Sequence, residues 1–336
     1  MEQVRFGHTG LKVSKLGLGT MSLGASAWKG WVLDADRAVP ILERALEAGI
    51  TFFDMADWYS LGENERLVGR VLLERAPRER LVLASKVFYP MSEAPNDRGL
   101  SRAHLMAAID ASLARIGADY LDLWIVHAFD PATPVEETMA ALHDIVRAGK
   151  VRYLGASTMY AWQFAAMNAA ARANGWTEFV NMQCQLSLLY REEEREMLPL
   201  CRAEGIAVTT FSPLARGYLA AAGKTDRVKY DPFLDWFGDA VDRDIAGRVG
   251  QLARRRGLTP SHIAMAWVAG HPDVTTPLVG ADAPGHVDVA VEAAGVELTA
   301  DERAFLEEAY RPADVINDYV PVRRPRAAEG AETARS

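Results

Sequence analysis

Eight short apolar runs alternate along the chain with eight longer segments whose apolar residues recur at helical spacing. Runs that are apolar almost throughout are typical of strands covered on both faces, and their alternation with helices predicts a parallel sheet. We therefore predict an α/β fold, a (β/α)8 TIM barrel. The predicted strands are KLGLGT, TFFDMA, RLVLASK, LDLWIVH, VRYLGAS, FVNMQCQ, AVTTFS and TTPLVG.

Additional elements are predicted at both ends of this barrel. The segment VRFGHTGLKV has the pattern of an N-terminal β-hairpin with a turn around Thr9 and Gly10, and we expect it to close the lower end. Extra C-terminal helices are predicted over DRDIAGRVGQLARRRG and TADERAFLEEAYR, on either side of the last strand. We predict a single domain over residues 1–322, and a disordered tail over 323–336, which is charged and poor in apolar residues.

Composition argues against several classes of partner. A net charge of −8 disfavours a nucleic-acid or anionic-membrane surface, because phosphate-rich partners require clustered positive charge. No apolar run approaches the length of a membrane span, and MEQVRFGHTG lacks the apolar stretch of a signal peptide. The two cysteines show neither metal-ligand spacing nor a disulfide framework. We expect a cytoplasmic protein without a metal; its oligomeric state stays open.

Four polar residues stand at or just past the ends of three successive predicted strands: Asp54, Tyr59, Lys86 and His127. Strand ends converge at one mouth of a barrel, so these side chains are expected to meet. An ammonium beside a phenol stabilises the phenolate, so we expect Lys86 to lower the pKa of Tyr59. Asp54 would keep Lys86 charged, and His127 would orient a substrate oxygen. This set favours proton transfer to a carbonyl, with hydride supplied by a cofactor.

Each of these residues also has a structural explanation when it is taken alone. Asp54 is compatible with a turn or helix cap, Lys86 with a solvated strand end, and His127 with a hydrogen-bonded core histidine. The combination of residue types at the ends of adjoining strands favours the functional interpretation.

Several longer segments resemble the aldo-keto reductase family from about Val4 to Tyr310. They include FDMADWYSLGENERLVG, LASKV, DLWIVHAFD, GASTMYAWQ, FSPLARGYL and PLVGADAPGHVDVAVEA. The resemblance implies a barrel reductase that uses a nicotinamide cofactor without a metal. It also implies that Asp54, Tyr59, Lys86 and His127 correspond to the family's catalytic tetrad.

The resemblance further implies which residues contact the cofactor. Those near the nicotinamide and its carboxamide are Gly19, Thr20, Met21, Asp54, Ser157, Thr158 and Gln183, with Phe211 stacked on the ring. Those around the pyrophosphate are Ser212, Pro213, Leu214, Arg216 and Gly217. Gly280, Asp282 and His286 correspond to the adenosine end.

The adenosine end departs from the family pattern. Relatives commonly place basic residues after the last strand to hold the 2′-phosphate of NADP, whereas this chain has Asp282 and Ala283. A carboxylate would repel that phosphate but could accept a hydrogen bond from the free ribose hydroxyl of NAD. The family expectation is NADP(H), and NAD(H) is possible for this reason. Asp282 could instead face solvent or cap the following helix.

Aromatic residues in the loops at the mouth predict the substrate pocket: Trp28, Trp31, Trp58, Phe88 and Phe129. They favour an apolar or ring-bearing small-molecule carbonyl substrate, because binding sites are mainly apolar with few polar anchors. We interpret the chain as an NAD(P)H-dependent aldo-keto reductase that converts an aldehyde or ketone to an alcohol, with Tyr59 as proton donor. The alternatives are a nucleotide-sensing regulatory subunit of the same type and, less favoured, a metal-dependent barrel hydrolase.

Overall fold

Eight parallel strands close into a barrel, as the alternating pattern predicts. The computed structural model describes residues 1–221, 231, 234 and 236–315, so the predicted tail lies outside the described residues. The barrel strands follow one another around the ring in chain order, and the last pairs with the first. They are β3 (Gly17–Gly19), β4 (Phe52–Asp54), β5 (Val82–Val87), β6 (Leu121–Val126), β7 (Val151–Ser157), β8 (Phe179–Gln185), β9 (Ala207–Phe211) and β10 (Thr276–Gly280).

Helices follow the barrel strands and cover their outer faces. Helix α1 shows why: its residues Ala38, Ile41, Leu42 and Ala45 recur at helical spacing and are all buried. The helices between and after strands are α1 (Ala35–Glu47), α2 (Glu63–Arg75), α3 (Arg102–Ile116), α4 (Val135–Arg147), α5 (Ala161–Asn174), α6 (Met197–Glu204), α9 (Pro260–Ala269) and α10 (Pro284–Ala294). The further helices are α7 (Tyr218–Ala221), α8 (Ala240–Arg256) and α11 (Ala300–Glu307), of which α8 and α11 confirm the predicted pair.

The N-terminal hairpin closes the barrel at the end opposite the mouth. Strands β1 (Gln3–Arg5) and β2 (Lys12–Ser14) pair antiparallel, with Val4 opposite Val13. Phe6 and Val13 are fully buried in one cluster with Phe52 and Leu123 from the barrel interior. The predicted hairpin is therefore confirmed, and its apolar side chains fill the space that the strands leave open.

Strand register brings the polar residues of β4, β5 and β6 to the same level. Asp54 pairs with Ala84, and Lys86 lies two residues further along β5. Because side chains alternate along a strand, Ala84 and Lys86 share the inner face. His127 follows the last residue of β6, and its backbone N–H donates to the carbonyl oxygen of Val87 at 3.0 Å. The three strands therefore present their polar residues at one end of the barrel interior.

None of the helices in the described part of the chain is long and apolar enough to cross a membrane.

Close packing of α2 against α3 yields a stability prediction. A Cβ atom at Gly69 would lie 2.3 Å from the carbonyl oxygen of Ile116, which is backbone and cannot move aside cheaply. Gly69→Ala should lower the free energy of unfolding by about 1–3 kcal/mol. Gly247→Ala on the exposed face of α8 is the matched control, because a Cβ there meets nothing within 4 Å. It should raise stability by roughly 0.5–1 kcal/mol. Urea unfolding measures both, and equal effects would contradict the close approach of α2 and α3.

Candidate active site

A cavity of about 820 Å³ runs across the mouth of the barrel. Residues at or just after each of the eight barrel strands contribute to its lining. Asp54, Tyr59 and His127 line it at the inner end, and Asp282 and His286 line it after the last strand. The cavity is therefore an elongated groove with ionisable groups toward both ends.

The buried ammonium of Lys86 connects two other members of the predicted tetrad, Asp54 and Tyr59. Its Nζ donates to Asp54 Oδ2 at 2.6 Å, to the Met55 carbonyl oxygen at 2.9 Å and to the Tyr59 hydroxyl oxygen at 3.2 Å. These bonds use all three of its donors. Lys86 is completely buried and Asp54 is 3% exposed. Lys86 is therefore not a solvated strand end, and Asp54 is an ion-pair partner rather than a helix cap.

The phenolic proton of Tyr59 is not used in the bond to Lys86. An ammonium has no lone pair to accept with, so the phenol oxygen is the acceptor and its own hydrogen points elsewhere. Burial raises the pKa of Tyr59, and Lys86 acts in the opposite direction without cancelling that effect. The prediction that the pKa of Tyr59 is lowered is therefore wrong, because burial raises it more than Lys86 lowers it. Tyr59 stays protonated at neutral pH, as a proton donor must.

Lys86 stays charged despite its burial. Burial by itself lowers the pKa of Lys86, but Asp54 and Tyr59 outweigh that effect and raise the pKa above its ordinary value. An uncompensated buried ammonium would cost several kcal/mol, so the ion pair with Asp54 is what permits this charge inside the barrel.

His127 is held neutral next to Tyr59. Burial, and then the charge of Lys86, keeps the pKa of His127 well below its ordinary value. The imidazole contacts the Tyr59 ring edge-on, with ring centroids 5.8 Å apart and planes at 76°. Among the described residues its enclosed Nδ1 has no hydrogen-bond partner. A neutral imidazole in this position can donate one hydrogen bond into the cavity.

Most residues that the resemblance implies for the cofactor line this cavity. They are Gly19, Met21, Asp54, Ser157, Thr158, Gln183, Phe211, Ser212, Pro213, Leu214, Arg216, Gly217, Gly280, Asp282 and His286. Thr20 does not line it, because its hydroxyl is turned away to donate to the carbonyl oxygen of Asp54 at 2.8 Å. The side-chain amide of Gln183 donates to Asp54 Oδ1 at 2.9 Å and so contributes to holding that carboxylate.

Backbone strain is concentrated in the loops that follow β4, β7 and β9. All non-glycine residues with positive φ in the described part of the chain lie there: Ser60, Leu61, Thr158, Ser212, Ala215 and Arg216. Such conformations cost about 1–3 kcal/mol each and persist only where the surrounding structure fixes them. Three of these residues line the cavity, so the strained loops shape the groove directly.

Charged groups near the outer parts of the groove have protein partners. Arg216 Nη1 lies 2.8 Å from Oδ2 of the buried Asp231. Asp282 is exposed, and Ala283 is the N-cap of α10 without a side-chain capping bond, which rules out the helix-cap alternative. The Arg37 guanidinium, from α1, donates to the carbonyl oxygen of Asp282 at 3.4 Å. A cation from another element thus approaches the segment that follows β10.

Only part of the predicted aromatic pocket faces the cavity. Trp58 lines it, whereas Trp28 is not part of the lining and packs edge-on against Trp58 at 5.0 Å between centroids. Trp31 packs against Trp28 at 6.2 Å. Phe88 contacts Tyr89 at 5.3 Å, and Phe129 contacts Trp162 at 6.0 Å. These four residues are not part of the lining, and of them Trp28 and Phe88 contact the lining residues Trp58 and Tyr89.

Sequence reasoning missed several lining residues: Tyr89, Gln185, Thr259, Ser261 and Met265. Tyr89 contacts both His127 and Trp58, with centroids 4.9 Å and 4.8 Å apart. Thr259 is the N-cap of α9, and its hydroxyl accepts from the His262 backbone N–H. The Thr259-Pro260 pair in the sequence indicates a helix start, but it does not indicate that this helix start lies beside the groove.

Within the described residues, no group of three or more His, Cys, Asp or Glu side chains could hold a metal ion.

Comparison with known proteins identifies the family. Residues 15–311 match the model of the Aldo/keto reductase family. Versiconal hemiacetal acetate reductase of Aspergillus parasiticus is 40% identical over 337 residues, covering 93% of this chain and 98% of the relative. Aldo-keto reductase AFTS1 of Alternaria alternata is 38% identical, covering 91% of each chain. Putative aryl-alcohol dehydrogenase AAD16 of Saccharomyces cerevisiae is 36% identical, covering 93% and 98%. Because the family model matches residues 15–311 and relatives at 36–40% identity cover more than nine tenths of the chain, the chain belongs to the aldo/keto reductase family.

Proposed function

We propose that this protein reduces an apolar or ring-bearing aldehyde or ketone to an alcohol, using a nicotinamide cofactor and Tyr59 as proton donor. The observation that carries the proposal is the Lys86 contact to the Tyr59 oxygen, which leaves the phenolic proton free at the inner end of the cavity. Family membership and relatives named as reductases and aryl-alcohol dehydrogenases support carbonyl chemistry. The name of the last relative also agrees with a ring-bearing substrate.

The residues along the groove fit a nicotinamide dinucleotide. Phe211 offers a flat face for a ring, Ser157 and Gln183 offer polar side chains beside it, and Arg216 offers a cation for phosphate. The cofactor, when bound, would supply the hydride that no side chain can deliver. Trp58 and Tyr89 would form the apolar side of the substrate pocket.

The side chains then divide the work on the carbonyl oxygen. Neutral His127 donates a hydrogen bond that orients the oxygen, and Tyr59 gives it a proton as negative charge develops. Lys86 stabilises the resulting phenolate through its existing contact, and Asp54 keeps the ammonium charged and fixed. Because Tyr59 and His127 are neutral, each can donate a hydrogen bond to the reacting oxygen and so stabilise its developing negative charge.

Turnover and cofactor binding must be measured separately to test this function. A panel of aromatic and aliphatic carbonyls is assayed with NADPH and NADH, and cofactor affinity is measured by fluorescence titration. We expect turnover of ring-bearing carbonyls at rates above those of small polar aldehydes. Tight cofactor binding without turnover of any carbonyl would contradict the proposal and favour a nucleotide-sensing regulatory subunit.

Tyr59→Phe removes the proposed proton donor while it keeps the ring. We expect kcat to fall roughly 100-fold to 10,000-fold, the usual contribution of a general acid, with cofactor affinity unchanged. Tyr120→Phe is the matched control, because Tyr120 stacks between Arg78 and Arg152 just before β6, at the opposite end of the barrel. A Tyr59→Phe enzyme with the normal kcat would refute the assigned donor.

Lys86→Met tests the charge beside the phenol. The methionine keeps much of the apolar stem but leaves Asp54 without its cation, so kcat should fall at least as far as in Tyr59→Phe. Lys150→Met serves as the control, since Lys150 forms a surface ion pair with Asp110. Unfolding measurements check that both variants fold. Near-normal turnover of a folded Lys86→Met protein would show that the ammonium does not assist Tyr59.

Asp282→Arg tests the choice between the two cofactors. The carboxylate lies in the lining of the groove, so its replacement by a cation should favour the 2′-phosphate. We expect the ratio of the NADPH and NADH dissociation constants to shift about tenfold or more toward NADPH. Asp119→Arg, at an exposed position before β6, should leave the ratio unchanged. An unaltered ratio in Asp282→Arg would show that this side chain does not face the ribose.

A further inference from the structure

Asp57 is a buried carboxyl group that the proposed mechanism does not use. It lies between Asp54 and Tyr59 in the chain and is 1% exposed. Its backbone N–H donates to the carbonyl oxygen of Lys86 at 3.2 Å, which fixes it beside the strand that carries the ammonium. In the described part of the structure, neither carboxyl oxygen has a hydrogen-bond partner of ordinary geometry. Buried carboxylates are normally paired, so this one requires an explanation.

Among the described residues, the two cations whose charges act on Asp57, Lys86 and Arg115, are each paired with another carboxylate. Lys86 is paired with Asp54 at 2.6 Å. On the other side, Arg115 of α3 is paired with the fully buried Glu65 of α2, also at 2.6 Å. Each buried cation thus already has its own carboxylate, and a charge on Asp57 would be a third, uncompensated anion.

Glu65 does not release Arg115 to pair with Asp57, because its own hydrogen bonds are complete. Its second oxygen accepts from the Ser85 hydroxyl at 2.5 Å, so both oxygens of Glu65 are occupied. Arg115 donates in addition to the Ser112 hydroxyl at 3.1 Å. The network is therefore complete without Asp57, and a buried carboxyl without a counter-ion avoids a large desolvation cost by binding a proton.

The electrostatic environment agrees with this charge count. Burial, and then the negative charge of Glu65, raise the pKa of Asp57 well above its ordinary value. Arg115, the backbone N–H of Trp58 and Lys86 act in the opposite direction and do not offset the rise.

We propose that Asp57 is a positioning residue that remains a neutral carboxylic acid in the active enzyme, and that its ionisation weakens proton delivery by acting through Lys86. A negative charge on Asp57 would offset part of the positive charge that Lys86 presents to Tyr59. The phenolate would then be harder to form, and reduction would slow as the pH rises. The effect on reduction rests on the proposed function; the protonation of Asp57 does not.

The pH dependence of turnover tests the catalytic half of this proposal. Asp57→Asn replaces the neutral acid by a neutral group of the same shape, and Asp119→Asn is the exposed control. At the lower end of the range from about pH 5 to pH 9, kcat of Asp57→Asn should equal that of the unmodified protein. With rising pH the variant should become the faster enzyme, by up to roughly tenfold if the pKa of Tyr59 changes by one unit.

Two results of this assay would overturn the catalytic half. Identical pH profiles of Asp57→Asn and the unmodified protein, measured beyond the pH at which the unfolding data show Asp57 to ionise, would show that Asp57 has no influence on Tyr59. A large loss of kcat in Asp57→Asn at every pH, with a folded protein, would show that Asp57 acts as an ionised carboxylate.

Unfolding as a function of pH tests the protonation of Asp57 without any turnover. A carboxyl whose pKa is raised by folding binds its proton more tightly in the folded state. The unmodified protein should therefore lose stability relative to Asp57→Asn as the pH rises above the ordinary carboxyl value of about 3.9. The ratio of their unfolding constants should change by up to roughly tenfold per pH unit until Asp57 ionises in the folded protein.

The two experiments separate the possible failures. If no carbonyl is reduced but the stability difference between Asp57→Asn and the unmodified protein grows with pH, the proposed function is wrong and the protonation of Asp57 is confirmed. If the stability difference between Asp57→Asn and the unmodified protein stays constant across the pH range, the neutral acid is refuted. If Asp57→Asn does not fold, Asp57→Ala takes its place in the same comparison, because it also lacks the titrating group.

Discussion

The buried ammonium of Lys86 is the interaction on which the mouth of this barrel depends. It connects the end of β4 to β5 through Asp54 and the Met55 carbonyl, and it fixes the hydroxyl of Tyr59. Its three donors are all used, so its position is determined by three separate contacts. Without the cation, Asp54 would be an uncompensated charge in the barrel interior, and the loop that carries Tyr59 would lose its anchor.

Burial acts on Tyr59, His127 and Lys86, but with different outcomes. Tyr59 and His127 become or remain neutral, because burial disfavours their charged forms. Lys86 remains charged only because Asp54 and Tyr59 outweigh burial. The mouth of the barrel is thus a nearly neutral site with one fixed ion pair. Under the proposed function, a developing negative charge on a substrate oxygen would find donors on two sides.

The sequence predicted the barrel, and the meeting of Asp54, Tyr59, Lys86 and His127 at its mouth, from patterns along the chain. Alternating apolar runs and helical segments specify the strands, and polar residues at strand ends converge through strand register. Gly19 and Met21 reach the groove for the same reason, since Gly19 ends β3 and Met21 follows it. The sign of the net pKa shift at Tyr59 was not predictable, because it depends on how completely the surrounding loops exclude water.

Side-chain direction within loops is what the sequence pattern does not specify. Trp28, Phe88 and Phe129 lie in the right loops but pack against other aromatic rings, and nothing in the local pattern distinguishes a lining residue from one that supports it. Thr20 turns away to bond the backbone of Asp54. Thr259 reaches the groove from a helix that precedes the last strand, so its position follows from helix packing that no strand-end argument contains.

The charge state of Lys86 tests this electrostatic arrangement most directly. Nitrogen NMR of protein labelled with ¹⁵N-lysine would follow its Nζ through a pH titration, with the signal assigned by its absence in a Lys86→Met protein. We predict that the nitrogen remains an ammonium past the ordinary lysine value of about 10.4, because Asp54 and Tyr59 stabilise its charge. Loss of the proton below that value would contradict the ion pair that holds Tyr59.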